Sequence, residues 1–291
     1  MDGLKLILWG FSKKVLIADR LAVYVNAVYG NPSSHSGSQL AIATYFFAFQ
    51  IYCDFSGYSD IAIGAARVMG FKLMKNFNRP YSARSIAEFW RRWHIALSSW
   101  FRDYVYIPLG GNRVTSRRLY FNIAVVFLIS GLWHGAGWTY VIWGGLHGIY
   151  LIISLIGKKI KTHTADFIKH AFSPRLYSLL CVLITFHLVT FAWIFFRANN
   201  ISDAVLIVKK ITHGIWSASN IYAPLGMFWF IFSVCLIALM EMIQYEHERV
   251  NLKLWLSSRT IWLRWAVYYS VILFILIFGK FSSLQFIYFQ F

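Results

Sequence analysis

Leu119–Ile156, LYFNIAVVFLISGLWHGAGWTYVIWGGLHGIYLIISLI, decides how the rest of the chain is read. The run is 38 residues long and contains no Asp, Glu, Lys or Arg. A straight helix of that length would reach about 57 Å, nearly twice the roughly 30 Å hydrocarbon core of a bilayer. It must therefore break. The break is written at Gly131–Gly137, GLWHGAG, where three glycines surround His134. Two spans, or a re-entrant pair, would carry the chain out and back, and the basic cluster Lys158, Lys159 and Lys161 agrees with that return. Non-helical backbone at membrane depth is tolerated only where it is buried in protein or lines a watery cavity. His134 is thus expected to face a cavity and not lipid.

Composition points the same way. Of the 291 residues 58% are hydrophobic and 13% charged, against about 25% charged in a soluble domain. Aromatics reach 19%, in keeping with rings that suit a membrane interface. The expected class is an all-α polytopic membrane protein. The net charge is +17, which in a soluble chain would suggest nucleic acid. Here the basic residues sit in short loops and leave no polar module for such a fold, so no nucleic-acid partner is expected. Positive-inside topology and an anionic ligand or lipid headgroup fit better. Cys53, Cys181 and Cys235 are far apart in apolar runs, with neither disulfide nor zinc spacing, and are expected to be buried small hydrophobes. No secretory signal peptide is expected, because Met1-Asp2 is not a basic leader and no small-residue cleavage site follows.

In chain order, residues 4–29 are apolar but interrupted by Lys13, Lys14, Asp19 and Arg20. That predicts an interfacial, tilted or protein-buried helix. A loop follows at Gly30–Ser38, then an apolar helix that runs into Asp54 and Asp60 near membrane depth. An ionised Asp at a span's centre costs roughly 2.5–3.5 kcal/mol on insertion scales, so both should face protein and have a partner. An ion pair with a nearby arginine is one expectation; a carboxylate that orients a histidine or binds substrate is the other.

Between Arg67 and Arg118 eleven Lys or Arg are opposed only by Glu88 and Asp103, which marks a cytoplasmic face. Ser85 and Glu88 have capping-box spacing. Ile86, Phe89, Trp90, Trp93, Leu97, Trp100, Phe101 and Tyr104 recur at helical spacing, with Glu88 and Arg92 paired on the other side. One amphipathic helix is predicted, ended by Pro108 and Gly110-Gly111. His94 would sit on it one turn from Trp90 and Ser98. Three further spans are expected at about 176–196, 223–243 and 261–279, and a short interfacial helix at 201–212. His187 should bond between helices.

Two histidines in apolar surroundings, His94 and His134, lie forty residues apart and can meet only by folding. Burial favours neutral imidazole, the form a general base needs. A lone buried histidine is usually structural; a pair beside a glycine-broken helix suggests a site. Metal is not expected, since His134 and His147 would point about 220° apart on a continuous helix and no HxxxH pair exists. No GxSxG elbow supports a serine hydrolase.

At this point a family resemblance becomes visible. It rests on Lys13–Asp19, Ile51–Gly64, Asn76–Tyr81, Glu88–Arg113, Gly131–Gly137, Trp143–Gly148 and the terminal FIYFQF. These resemble the membrane-bound O-acyltransferases, in particular the bacterial alginate O-acetyltransferase membrane subunits, along essentially the whole chain. The resemblance implies one integral membrane domain over 1–291. Its helices, tilted and re-entrant, would surround a central tunnel. It implies acyl transfer from acetyl-CoA, with no permanently bound cofactor, to a hydroxyl of an exported polysaccharide. It also implies a bacterial inner-membrane location and a periplasmic acetyltransferase partner. His134 would be the general base and His94 would polarise the thioester carbonyl. Asp54, Asp60, Trp93, Ser98, Trp133 and His147 are candidates for lining the tunnel. Arg91, Arg92, Arg102 and Arg113 are candidates for the coenzyme A phosphates, with topology determination as their plainer use. Family members carry further membrane helices ahead of the stretch where this chain begins, so it corresponds to the C-terminal part of the usual length. Teichoic acid D-alanyl transfer and a non-catalytic transporter or scaffold are the rival readings.

Overall fold

A computed structural model describes residues 2–159, 173–214, 220–250, 255–256, 258–281 and 286. Lys161, His163, His170 and most of the FIYFQF end fall outside them. The described residues form helices and connecting turns and no strand. Their contacts cluster into two units, one of residues 1–73 with 213–290 and one of residues 74–212. Helices at Trp138–Gly157, Pro174–Arg197, Met227–His247 and Ile261–Phe278 are long and apolar enough to cross a membrane. The last three lie where the hydropathy placed spans.

In the first unit, α1 (Asp2–Phe11) leads through a π-helical segment, Ser12–Ala18, into α2 (Asp19–Gly30). A Ser36–Gln39 capping box then starts the long α3 (Gly37–Val68). α1 and α3 run antiparallel. Gly3 meets Gly64 and Gly10 meets Gly57, and a Cβ at any of the four would strike the opposite backbone. Small residues let membrane helices approach this closely.

That register delivers Lys13 and Lys14 to the carboxylates of α3. Lys13 Nζ donates to Ser56 Oγ at 2.8 Å and Asp60 Oδ2 at 2.7 Å. Lys14 Nζ lies 2.9 Å from Asp19 and 2.5 Å from Asp54. The partners of Asp54 and Asp60 are therefore lysines of the preceding helix, and the arginine pairing expected from sequence is corrected. Arg20 is buried too, with its guanidinium on the Phe278 carbonyl and 4.0 Å over the Trp229 ring. The unit also contains α10 (Met227–Val250) and α11 (Ile261–Phe278). Tyr52 on α3 donates to Gln244 on α10 at 2.9 Å, and Lys280 N donates to the Val15 carbonyl at 2.9 Å. Cys53 is buried against Met240, whereas Cys181 is half-buried and Cys235 exposed, so only the first behaves as expected.

The second unit begins at Met74 with a stretch of irregular backbone that leads to α4 (Ile86–Arg92) and α5 (Ile95–Phe101). The single amphipathic helix expected over 86–104 does not form. It stops at Trp93–His94, where His94 is left-handed (φ 43°). Ser85 caps α4 through Glu88 N, but the Glu88 carboxylate turns to Arg84 N and Arg92, so the box is half made. α6 (Ser116–His134) and α7 (Trp138–Lys159) follow, separated at Gly135–Gly137, where the length of the apolar run demanded a break. α8 (Pro174–Arg197) and α9 (Ile201–Gly214) complete it. His187 on α8 bonds the Leu183 carbonyl of its own helix at 2.7 Å.

Removing one partner of a buried ion pair typically costs about 3–5 kcal/mol. Lys14→Met, which takes the lysine from both Asp19 and Asp54, should lower the thermal midpoint in detergent well below that of the unaltered chain. Lys14→Met with Asp54→Leu should recover part of the loss. An unchanged midpoint in Lys14→Met would show that the lysine cluster does not hold this unit together.

Candidate active site

His94 owes its place to the break between α4 and α5. The orphan groups at that break are met by the stretch of irregular backbone before the helices. Asn78 N donates to the Arg92 carbonyl and Ile95 N to the Asn76 carbonyl, both at 2.9 Å. Asn76 Oδ1 lies 3.1 Å from Ala96 N and 3.1 Å from His94 Nδ1. A left-handed conformation is uncommon for a residue with a side chain and must be held by its surroundings. Here four hydrogen bonds with Asn76 and Asn78 hold it. Arg92 pins the same stretch, reaching Ser82 Oγ at 3.1 Å and Glu88 at 2.6 Å.

His134 is the last residue of α6, held by the hairpin with α7. Gly131 backs onto the Tyr140 carbonyl and Gly144 onto the Phe127 carbonyl; a Cβ at either would clash with that backbone. His134 is 7% exposed, its ring 5.0 Å from Trp143 and 5.3 Å from Phe196.

These elements bring the two histidines to one indole. The Trp133 ring is 6.5 Å from His94 and 5.0 Å from His134, and Trp133 itself is 53% exposed. Phe77 lies along His94, and Trp93, buried, packs on Phe77 and Trp193. His134 is thus set among the rings of Trp133, Trp143 and Phe196. Burial pushes the His94 imidazole down to about 4, so it is neutral at physiological pH.

His147 is fully buried. Its Nδ1 accepts the Trp90 indole N–H at 3.3 Å, which ties α4 to α7. Trp143 touches both His147 (5.2 Å) and His134. Among the described residues no group of three or more His, Cys, Asp or Glu could hold a metal.

The remaining candidates are dispersed. Asp54 and Asp60 belong to the first unit, engaged by lysines. Ser98 Oγ donates to the Trp93 carbonyl at 3.2 Å, inside the α4–α5 turn. Arg92 is committed to Glu88 and Ser82, and Arg102 is exposed beside Asp103 at 2.7 Å. Arg91 and Arg113 are exposed. Asn76 is the residue that sequence reasoning missed. It opens the NFNRPY stretch, eighteen residues before His94, and nothing local marks it as the histidine's partner.

Fold and site together define a polytopic all-α membrane protein with two histidines set beside one indole among aromatic rings. The chain belongs to the membrane-bound O-acyltransferase family, whose model matches residues 4–196. It is 43% identical over 223 residues to a probable alginate O-acetylase of Pseudomonas aeruginosa, a match covering 76% of this chain and 40% of that protein. It is 45% identical over 207 residues to a peptidoglycan O-acetyltransferase of Helicobacter pylori, covering 71% of this chain and 38% of that protein. Identity to a teichoic acid D-alanyltransferase of Streptococcus thermophilus is 36% over 164 residues, covering 52% of this chain and 40% of that protein. The matched stretch thus spans about two fifths of the length of these curated relatives.

Two outcomes test this geometry. Gly144→Ala should force α6 from α7 and lower the thermal midpoint, whereas Gly145→Ala, which meets only the Leu128 side chain at 3.8 Å, should be tolerated. Equal effects would contradict the close hairpin. The second concerns acid. An unfolded histidine titrates near about 6.5 and folded His94 at about 4, so within that window the unfolded chain binds more protons. Stability therefore rises with pH across it and is lost as pH falls. The midpoint should drop between about pH 6.5 and 4, and drop less in His94→Gln; equal drops would show that burial does not hold this imidazole neutral.

Proposed function

We propose that the chain transfers an acyl group from a thioester to a hydroxyl, with His94 and His134 as the reacting pair. The observation that carries the reading is the convergence of the two imidazoles, from separate helix breaks, on the single Trp133 ring. The donor is acetyl-CoA, reaching the site from the cytoplasm, with exposed Arg91 and Arg113 the better placed of the four arginines for its phosphates. The acceptor is a hydroxyl of an exported cell-envelope polysaccharide, passed on with a periplasmic acetyltransferase partner, and the location is the bacterial inner membrane. Support for acetyl over D-alanyl transfer comes from identity: 43% and 45% to the relatives named as O-acetylating, 36% to the one named as a D-alanyltransferase.

A neutral imidazole acting as general base contributes about 10²- to 10⁴-fold in rate. Transfer of radiolabelled acetyl from acetyl-CoA to polymer, by the chain reconstituted with its periplasmic partner, should fall by at least two orders of magnitude in His134→Ala. D-alanyl transfer from a carrier protein by the same preparation, with none from acetyl-CoA, would favour the sister chemistry. Full activity of His134→Ala would favour a non-catalytic role.

A further inference from the structure

A cleft of about 460 Å³ lies in the second unit, between the turn ahead of α4 and the first two turns of α8. Arg84, Pro174, Tyr177, Ser178 and Cys181 line it. Its volume falls within the roughly 300–1,000 Å³ of small-molecule sites. None of the five residues belongs to the surroundings of His94 or His134, so acyl transfer leaves the cleft unused.

The charge of the cleft is that of Arg84. The backbone N of Arg84 donates to Glu88 Oε2 at 2.8 Å, but that carboxylate already holds the Arg92 guanidinium at 2.6 Å. Among the described residues the Arg84 guanidinium makes no hydrogen bond or ion pair of its own. A guanidinium presents a rigid fork of donors that matches phosphate oxygens. Ser178 adds a hydroxyl, and Pro174, the Tyr177 ring and Cys181 make the remaining wall mostly apolar.

The position of the cleft narrows the ligand. Arg84 belongs to the basic stretch Arg67–Arg118, which marks a cytoplasmic face. α8 starts at the cleft and is long and apolar enough to cross a membrane. Three residues beyond Cys181, Ile184 is 61% exposed on that helix. A cation at the mouth with an exposed apolar helix surface beneath it has the layout of a lipid, headgroup above and acyl chain below. A soluble phosphate would gain nothing from the apolar surface.

We propose that this cleft binds the phosphodiester headgroup of an anionic phospholipid of the cytoplasmic leaflet. Arg84 holds the phosphate, and an acyl chain runs along α8 past Ile184. Basic pockets beside membrane helices on the cytoplasmic side recognise such headgroups.

Cys181 reports occupancy of the cleft. Cys53 is buried and Cys235 exposed, so Cys235→Ser leaves Cys181 as the accessible thiol. In that chain, in nanodiscs, the rate of Cys181 labelling by uncharged N-ethylmaleimide is measured in phosphatidylcholine alone and with phosphatidylglycerol added. Phosphatidylglycerol should slow labelling about fivefold, the effect of one cation beside an anionic lipid surface. Arg84→Gln keeps the backbone N–H to Glu88 and the same bilayer charge, and should lose the slowing. Equal rates in the two bilayers, or slowing that survives Arg84→Gln, would overturn the proposal. The bilayer comparison decides by itself if Arg84→Gln does not fold. Inorganic phosphate added to phosphatidylcholine nanodiscs should leave the rate unchanged. Protection by it equal to that of phosphatidylglycerol would give the cleft to a soluble phosphate and overturn the lipid assignment.

Discussion

Backbone buried away from water must find a partner for each N–H and C=O wherever a helix stops. The structure around the histidines follows from that constraint. Two of the helix stops inside the second unit each hold one candidate catalytic residue. At the first, between Arg92 and Ile95, the freed groups bond to Asn76 and Asn78. At the second, Gly135 N bonds back to the Leu132 carbonyl and Tyr140 N to that of Gly137. Each repair fixes a histidine as a by-product. An uninterrupted helix would leave His94 and His134 as ordinary stripe residues.

The aromatic side chains convert these two stops into one site. Trp143 faces His134 and His147, Trp90 bonds His147, and Trp193 stacks on Trp143 while packing on Trp93. The chain of rings therefore runs from the residue before His94 to Trp143 on α7 and on to His134. Rings provide large contact area with few torsions to freeze, so such a wall is stiff. Stiffness matters because a proton acceptor works only within hydrogen-bond reach of the group it serves. The first unit solves a different problem: Lys13, Lys14, Asp19 and Asp54 are buried together, with Asp60 half-buried beside them, by a glycine-mediated helix pair, and each charge finds an opposite one.

Much of this was legible in the sequence. The span positions follow from run length, and the GLWHGAG break follows from a run too long for one crossing. The break at Trp93–His94 was not legible. Residues 86–104 hold the helical period and contain neither Gly nor Pro, so nothing local forbids a continuous helix. The interruption is imposed by hydrogen bonds from Asn76 and Asn78, fourteen to twenty residues away along the chain. The partners of Asp54 and Asp60 were hidden for a similar reason. Lys13 and Lys14 precede them by about forty residues, and only the register set by Gly3, Gly10, Gly57 and Gly64 brings them together. Arg92 was a candidate for the coenzyme A phosphates under the family resemblance; its bonds to Glu88 and Ser82 put it in the scaffold of the break.

The central claim is that His94 and His134 act as one unit. Residues that share a catalytic step show non-additive losses, because the second removal takes away nothing that still functions. The direct measurement is a double-mutant cycle on acetyl transfer with His94→Ala, His134→Ala and the pair, in reconstituted chain with its partner. The double variant is predicted to be no slower than the slower single variant. Losses that multiply would contradict a shared step and separate the two histidines into independent roles.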